Sequence, residues 1–528
     1  MEENKTYAPE KTQKGIKAFE VNTVIVGTVL ALLSAIICIQ IIGEVGVSAN
    51  TSILGAIFAM MLGKLSFGKL KQFKNLERQN YIQTVVSAAG FSASNCAFIA
   101  IGIFLIMGES KAIFPMAVGC LIGTGVSVVV VGLIYDSKIF PAAKAWPPGV
   151  ATADILIAGD EGGDKAKRVV QGVVAGIIGS YFKIPVGAVG IVFIASLPSM
   201  AALGIGLLVR GYANPLFKFD IAATNIPQGF MIGAGIVALV QSIVIIVKSR
   251  ANKSEKGNEI IEQCTVSDSS AKKTIILSFG IHALGAVVLG VMAGIMSDMS
   301  TGMFIAWILW TAFSSVASMM LVGMAAMHSG WFPAFAITTI FMTLGVIAGF
   351  PPLATALLTG YICSVGPCFA DMGYDLKTGW IIRGRGKDVP YELHGRKEQV
   401  KIELYGAILG VLVLLISANL MYAQGLVPPV SKVFVSTIEA GTNSSIVKEL
   451  LIWAIPGAIL QFAGGSRMLG VLFATGLLIN NPIYGIGVVV AVIIRLVVGD
   501  EFMHIRDAGL IAGDGLFGFF SALFKVFF

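Results

Sequence analysis

Two carboxylates in apolar stretches are the side chains of this sequence best suited to chemistry. Asp154 lies in the apolar stretch 149–158, and Asp371 follows the stretch 364–367, where Gly and Pro interrupt an apolar run. A charged side chain at bilayer depth costs at least about 2.5–3.5 kcal/mol, so each one needs a reason to be there. A carboxyl group can take up and release a proton. The sequence therefore predicts that Asp154 and Asp371 take part in proton coupling.

Polar side chains in one apolar segment, residues 81–107, form a second set of candidates. Gln83 and Ser87 are four residues apart and fall on one face of a helix, and Asn95 lies further along the same segment. Small and hydroxyl residues also allow helices to pack closely, which is the alternative explanation. Amide groups in hydrocarbon need hydrogen-bond partners, however, and this favours contact with a substrate or an ion.

Breaks in the apolar runs point to further ligand contacts. Non-helical backbone at membrane depth is tolerated only where protein buries it or water lines it. An unwound stretch at 364–367, and the Asn-Asn-Pro sequence at 480–482, could aim backbone groups and helix ends at a ligand. The predicted substrate-binding residues are Tyr81, Gln83, Ser87, Asn95, Tyr361, Ser364, Asn480 and Asn481.

These residues require a membrane-embedded scaffold. Hydrophobic residues make up 56% of the 528 residues and charged residues only 13%, which is more apolar surface than a soluble protein of this length can bury. At roughly 20 residues per crossing, the apolar segments predict an all-α polytopic membrane protein with about 16 spans. This number includes short, broken or re-entrant helices, and 149–158 is one of them.

A polar stretch divides the apolar sequence into two parts of similar length. The predicted organisation is a cytoplasmic tail at 1–20, a first transmembrane half at 21–248, a cytoplasmic linker at 249–272, and a second half at 273–528 with a cytoplasmic insert at 375–401. Tyr-Ile-Gln-Thr-Val at 81–85 is echoed by Tyr-Ile-Cys-Ser-Val at 361–365. The echo suggests that the halves are related as pseudo-repeats, an arrangement common in transporters.

The positions of the basic residues are consistent with a membrane topology. The net charge is +7, and basic residues cluster in the N-terminal tail and at 69–78, 248–273 and 383–401. Placing all four clusters in the cytoplasm satisfies the positive-inside rule and predicts a cytoplasmic N-terminus. This distribution argues against a nucleic-acid partner. The predicted partners are the lipid bilayer and a small molecule, and a homo-oligomer is compatible with the sequence.

Motifs for ATP-driven pumping and for hydrolysis are absent from the sequence. There is no Gly-rich phosphate loop followed by Lys-Ser/Thr and no His-Glu-x-x-His, and no Cys/His cluster has zinc spacing. Cys363 and Cys368, five residues apart, leave thiolate or metal chemistry open as an alternative to simple burial. We therefore predict no enzyme activity, no metal and no cofactor, with a proton gradient as the energy source.

Four motifs, in this order, resemble the oligopeptide transporter superfamily, which includes the plant yellow-stripe-like metal-chelate carriers. They are Arg78–Thr84 (RQNYIQT), Trp146–Ala153 (WPPGVATA), Asp375–Gly379 (DLKTG) and Ala508–Gly515 (AGLIAGDG). The second motif is similar to the family's Pro-Ser-Gly-Thr-Ala-Thr-Ala, with Pro148 and Val150 in place of Ser and Thr. Asp154 stands where the family usually has Glu.

The resemblance implies secondary, typically proton-coupled uptake of short peptides, peptide derivatives or metal chelates. It also implies about sixteen spans in two related halves, as the composition does. The prediction is a proton-coupled importer of short peptides or peptide-like compounds that works by alternating access in the plasma membrane. The alternatives are an importer of metal chelates, siderophores or other organic anions, a passive channel, and a membrane-embedded enzyme.

Overall fold

A computed structural model gives the fold of most of the chain. The residues it describes are 15–45, 51–64, 68–161, 164–190, 192, 196–221, 224–255, 264–329, 334–441, 444–479, 481–499, 503, 506–507, 509–510, 513–514 and 517. Asn480, one of the predicted substrate-binding residues, lies outside them.

The described residues form a succession of α-helices. In the first half of the chain these are α1 (Val21–Val45), α2 (Thr51–Lys64), α3 (Leu76–Phe91), α4 (Ile99–Met107), α5 (Ile113–Ile134), α6 (Pro147–Glu161), α7 (Asp164–Tyr181), α8 (Val186–Gly190), α9 (Leu197–Phe217) and α10 (Ile226–Glu255). In the second half they are α11 (Asp268–Met292), α12 (Thr301–Ser329), α13 (Ala334–Ile347), α14 (Pro352–Ile382), α15 (Val389–Ala423), α16 (Pro429–Ala440), α17 (Ser444–Gly464), α18 (Leu469–Leu478) and α19 (Pro482–Val498). A π-helix, Ser92–Phe98, joins α3 to α4.

Nine helical segments of the described chain are long and apolar enough to cross a membrane. They are Val21–Gly43, Leu76–Met107, Ser110–Ile134, Leu197–Phe217, Asp268–Met292, Thr301–Met327, Pro352–Ile382, Val389–Ala423 and Val447–Gly464. Shorter apolar helices of 10–17 residues accompany them, α2, α18 and α19 among them. The predicted all-α polytopic membrane fold is therefore confirmed.

The helices pack into two bundles. In the large bundle, α3 lies against α1, α2 and α15, and α14 lies against α5, α6, α12 and α13. In the small bundle, α9 packs along α18 and α19, and α10 packs along α17 and α18. The short helix α16 contacts α4 of the large bundle and α17 of the small one. Each bundle thus combines helices from both predicted halves of the sequence.

The stretch 364–367 is helical, although the sequence predicts that it is unwound. Helix α14 runs without a break from Pro352 to Ile382 and contains Pro367. A proline inside a helix removes one backbone hydrogen bond and crowds the preceding turn. The hydroxyl of Thr124 on α5 donates to the carbonyl of Ser364 at 3.2 Å, within that turn. Such side-chain donors are a usual way in which membrane helices tolerate proline.

The predicted polar insert at 375–401 is also mostly helical, and its first residues, 375–379, are buried. Helix α14 continues to Ile382, and α15 begins at Val389. The ammonium group of Lys377 donates to the carbonyls of Ala142 and Lys144 at 2.8 and 2.9 Å. Its charge is tolerated inside the protein because these carbonyls replace water as hydrogen-bond acceptors.

Glycines allow α10 and α17 to approach closely. A Cβ atom on Gly457 would lie 2.0 Å from the carbonyl oxygen of Phe230, and one on Gly233 would lie 1.8 Å from that of Ala454. Small residues at such contacts let membrane helices pack backbone against backbone. This contact is central to the small bundle.

We expect Gly457→Ala to destabilise the small bundle by about 1–3 kcal/mol, because a rigid backbone carbonyl occupies the space that the methyl group needs. Thermal unfolding in detergent, followed by tryptophan fluorescence, measures the effect. Gly280→Ala on α11 is the matched control, since a Cβ atom there would meet nothing within 4 Å. Equal melting temperatures for the two variants would contradict the prediction.

Candidate functional site

Three buried carboxyl groups meet inside the large bundle. Asp371 and Asp375 lie four residues apart on α14, which places them on the same face of the helix. Glu403 reaches them from α15. One carboxylate oxygen from each of the three lies within 4.8 Å of the others. We refer to Asp371, Asp375 and Glu403 as the carboxyl cluster, and their exposed fractions are 3%, 0% and 1%.

Hydrogen-bond donors from α2 and α3 orient Asp375. The Ser52 hydroxyl donates to its Oδ1 at 2.6 Å, and the Gln83 amide donates to the same oxygen at 2.7 Å. Because Ser52 lies in the first turn of α2, the positive end of that helix dipole also stabilises negative charge here. Asp375 is thus held in place from two neighbouring helices.

Asp371 has a similar but looser set of donors. The Thr51 hydroxyl donates to its Oδ1 at 3.2 Å. The Ser87 hydroxyl lies 3.4 Å from each of its two carboxylate oxygens. Ser52 and Ser87 also contact each other at 3.1 Å, so the donors of the two aspartates form one network.

No cationic side chain among the described residues forms an ion pair with the carboxyl cluster. Three ionised carboxylates buried together would be prohibitively unfavourable without compensating charge. Glu403 and Asp375 are close enough to share a hydrogen bond when one of them is protonated. The site can therefore exist only with protons or a cation bound to it, and this is its chemical capability.

Three of the residues singled out in the sequence come together at this site. Gln83 and Ser87, from the 81–107 segment, both contact the carboxyl cluster, and Asp371 is a member of it. The i,i+4 spacing of Gln83 and Ser87 places both on the face of α3 that meets α14. Both side chains are completely buried.

Two predicted substrate-binding tyrosines lie elsewhere in the large bundle. The Tyr81 hydroxyl donates to Glu77 Oε1 at 2.9 Å and lies 3.2 Å from the carbonyl of Ile16. The Tyr361 hydroxyl lies 3.1 Å from Nδ1 of His282 on α11. Both tyrosines are buried, and each anchors a neighbouring segment.

The remaining predicted residues are dispersed. Ser364 donates to the carbonyl of Tyr361 within α14, and Asn95 is a half-buried residue of the π-helix. Asn481 caps α19, where its side chain accepts a hydrogen bond from the backbone N–H of Tyr484 at 3.1 Å. Asp154 is exposed on α6. The substrate and proton roles of these residues stay predictions.

Sequence reasoning missed Asp375 and Glu403. A signal for Asp375 was available, because it follows Asp371 by four residues and thus shares its helix face. The charged residues that follow it place it in the predicted polar insert instead. Glu403 lies just after the charged sequence 396–401, which conceals its position on a buried helix face. The hydroxyls of Thr51 and Ser52 give no signal of their own.

Comparison with known proteins finds a family model that matches part of this chain. A family model described as OPT oligopeptide transporter protein matches residues 20–247. This range runs from the start of α1 into α10, and it includes Thr51, Ser52, Gln83 and Ser87. No curated protein matches the chain.

Proposed function

We propose that this chain, which belongs to the oligopeptide transporter superfamily, is a secondary active, proton-coupled importer of short peptides or peptide-like compounds. Family membership supports a transporter of oligopeptides or related compounds. The direction of transport, the coupling ion and the peptide substrate are our proposal. A proton gradient supplies the energy, and no cofactor takes part.

The observation that carries the proposal is the carboxyl cluster. Its members are buried, have no cationic side-chain partner in the described part of the chain, and lie close enough to exchange a proton. Buried carboxyl groups in membrane helices are characteristic of proton relays in transporters. Protonation removes the charge repulsion between the three groups, so it favours a different packing of α14 and α15 from the one that ionised groups favour.

The division into two bundles supports alternating access as the mode of transport. The carboxyl cluster belongs to the large bundle, whereas α9, α10 and α17–α19 form the small bundle. Rocking of one bundle against the other is a general mode of secondary transport. In our proposal, protonation of the cluster adjusts the surface that the large bundle presents to the small one. The N-terminus lies in the cytoplasm, and the protein resides in the plasma membrane.

Uptake by purified protein in proteoliposomes tests the proposed function. Labelled di-, tri- and tetrapeptides, glutathione and an iron chelate are compared with and without an inward proton gradient. We expect saturable, gradient-stimulated uptake of a peptide class. Saturable uptake of the chelate alone would favour the metal-chelate alternative, and unsaturable flux without a proton requirement would indicate a channel.

We expect Gln83→Ala to reduce the maximal rate of gradient-driven uptake several-fold, because Asp375 loses one of its two side-chain donors. The apparent Km separates two roles. A raised Km indicates that Gln83 contacts the substrate, as the sequence predicts, whereas a lowered rate at unchanged Km indicates that it supports the carboxyl cluster. Wild-type values of both would show that Gln83 only packs α3 against α14.

A further inference from the structure

We propose that the carboxyl cluster also binds one divalent cation of the oxygen-preferring class, Mg²⁺, Mn²⁺ or Ca²⁺. The three carboxyl groups would supply the ligand oxygens of this cation. The inference deepens the proposed function and rests on it only in placing the cation at the site that carries that proposal. The binding itself follows from geometry and charge.

The spacing of the carboxyl groups fits a single cation. Mn²⁺, Mg²⁺ and Ca²⁺ bind oxygen at about 2.0–2.6 Å, so two oxygens on opposite sides of one ion lie about 4–5 Å apart. Oxygens from Asp371, Asp375 and Glu403 all lie within 4.8 Å of one another. One ion placed between the three groups would therefore lie at or near bonding distance from an oxygen of each residue.

The chemistry of the donors selects the class of ion. All three members of the cluster offer carboxylate oxygen, and their neighbours are the hydroxyls of Ser52, Ser87 and Thr51 and the N–H of Gln83, which donates and does not bind a cation. Oxygen-only sites favour Mg²⁺, Mn²⁺ and Ca²⁺, whereas zinc and copper prefer sites with imidazole or thiolate. Three buried carboxylates favour a divalent over a monovalent ion, because the attraction grows with the charge of the ion.

Unsatisfied oxygens give a separate reason to expect a ligand. Neither oxygen of Glu403 accepts a hydrogen bond from an N–H or O–H donor in the described part of the chain, and the same is true of Asp375 Oδ2. Glu403 is only 1% exposed and is directed at the two aspartates. A buried acceptor without a donor is unfavourable. A cation would satisfy all three oxygens at once.

Neighbouring donors would hold the ligands in place. The hydrogen bonds from Ser52 and Gln83 leave Asp375 Oδ1 fixed and Oδ2 turned away from them, without a donor. Hydrogen-bond donors of this kind orient metal ligands and are common around metal sites in proteins. The two aspartates and Glu403 would then supply one ligand oxygen each.

Binding of Mn²⁺ to the full-length protein in detergent tests the proposal. The loss of the six-line electron paramagnetic resonance signal of free Mn²⁺ gives the stoichiometry and Kd, and Mg²⁺ and Ca²⁺ serve as competitors. We expect about one site per chain and at least tenfold weaker binding in Glu403→Gln. Glu109→Gln is the matched control, because Glu109 is exposed on the loop after α4, and it should bind Mn²⁺ as the wild type does.

A second variant protects the test against misfolding. If Glu403→Gln is not monodisperse on gel filtration, Ser52→Ala replaces it, with several-fold weaker binding expected. No Mn²⁺ binding by the wild type, or equal binding in the cluster variants and the wild type, would overturn the cation site. Proton-driven uptake in proteoliposomes is measured in parallel. Mn²⁺ binding together with uptake that does not respond to the proton gradient would support the cation site and reject proton coupling. Gradient-driven uptake without Mn²⁺ binding would reject only the cation site.

Discussion

Asp371→Asn is expected to reduce proton-driven accumulation at least tenfold while counterflow exchange of substrate continues. The amide keeps the size and part of the hydrogen bonding of the carboxyl group but cannot release a proton at physiological pH. Exchange needs only that both bundles move with substrate bound, so it should survive. The measurement is uptake of labelled substrate into proteoliposomes, with an inward proton gradient and, separately, with unlabelled substrate inside.

Asp154→Asn completes this experiment. The sequence predicts proton coupling for both aspartates, whereas the structure places Asp371 among other carboxyl groups and leaves Asp154 exposed on α6. We expect Asp371→Asn to have the larger effect. Normal accumulation in both variants would reject the coupling assignment altogether, and loss of accumulation in Asp154→Asn alone would move it to α6.

Glu392→Gln is expected to have the largest effect on stability. Arg383 donates from Nε to Glu392 Oε2 at 2.7 Å and from Nη2 to Oε1 at 3.2 Å. The side chains are 0% and 1% exposed. Removing one partner of a buried ion pair costs about 3–5 kcal/mol, because the other charge remains in a poorly solvated place. A lower melting temperature in detergent, or loss of folded protein, is the expected result.

Two controls separate charge burial from other causes. Arg383→Met combined with Glu392→Gln should recover at least half of the lost stability, because no unpaired Arg383 charge then remains, and Arg396, which also contacts Glu392, keeps Asp136 as a partner at 4.0 Å. Asp268→Asn removes an exposed pair with Lys138, whose side chains are 48% and 70% exposed, and should leave the melting temperature essentially unchanged. A double variant no more stable than Glu392→Gln would contradict the explanation.

The sequence predicts the membrane fold well because apolar periodicity and length report directly on the bilayer. It predicts part of the site for a similar reason. Gln83, Ser87 and Asp371 stand out because polar groups are rare in apolar helices and need partners. These are local properties, which can be read without knowledge of the neighbouring helices.

The parts that the sequence does not reveal depend on distant partners. Lys377 is buried only because carbonyls at Ala142 and Lys144, more than 200 positions earlier, accept its hydrogen bonds. Asp375 belongs to the cluster only because α15 brings Glu403 to it. A charged stretch such as 375–401 looks the same in sequence whether its partners are water or protein. The burial of Lys377 could therefore not be predicted from the sequence.

The contact between α3 and α14 can form only late in synthesis of the chain, because its two helices are far apart in sequence. Gln83 precedes Asp375 by 292 residues, so at about 5–20 residues per second the ribosome needs about 15–60 seconds to supply the partner. During that interval the Gln83 amide oxygen can still accept a hydrogen bond from Asn80, one turn earlier on α3. The Gln83 N–H groups gain their acceptor, Asp375, only when α14 has been synthesised. A chain interrupted between these helices would leave the Gln83 N–H groups without Asp375 as their acceptor.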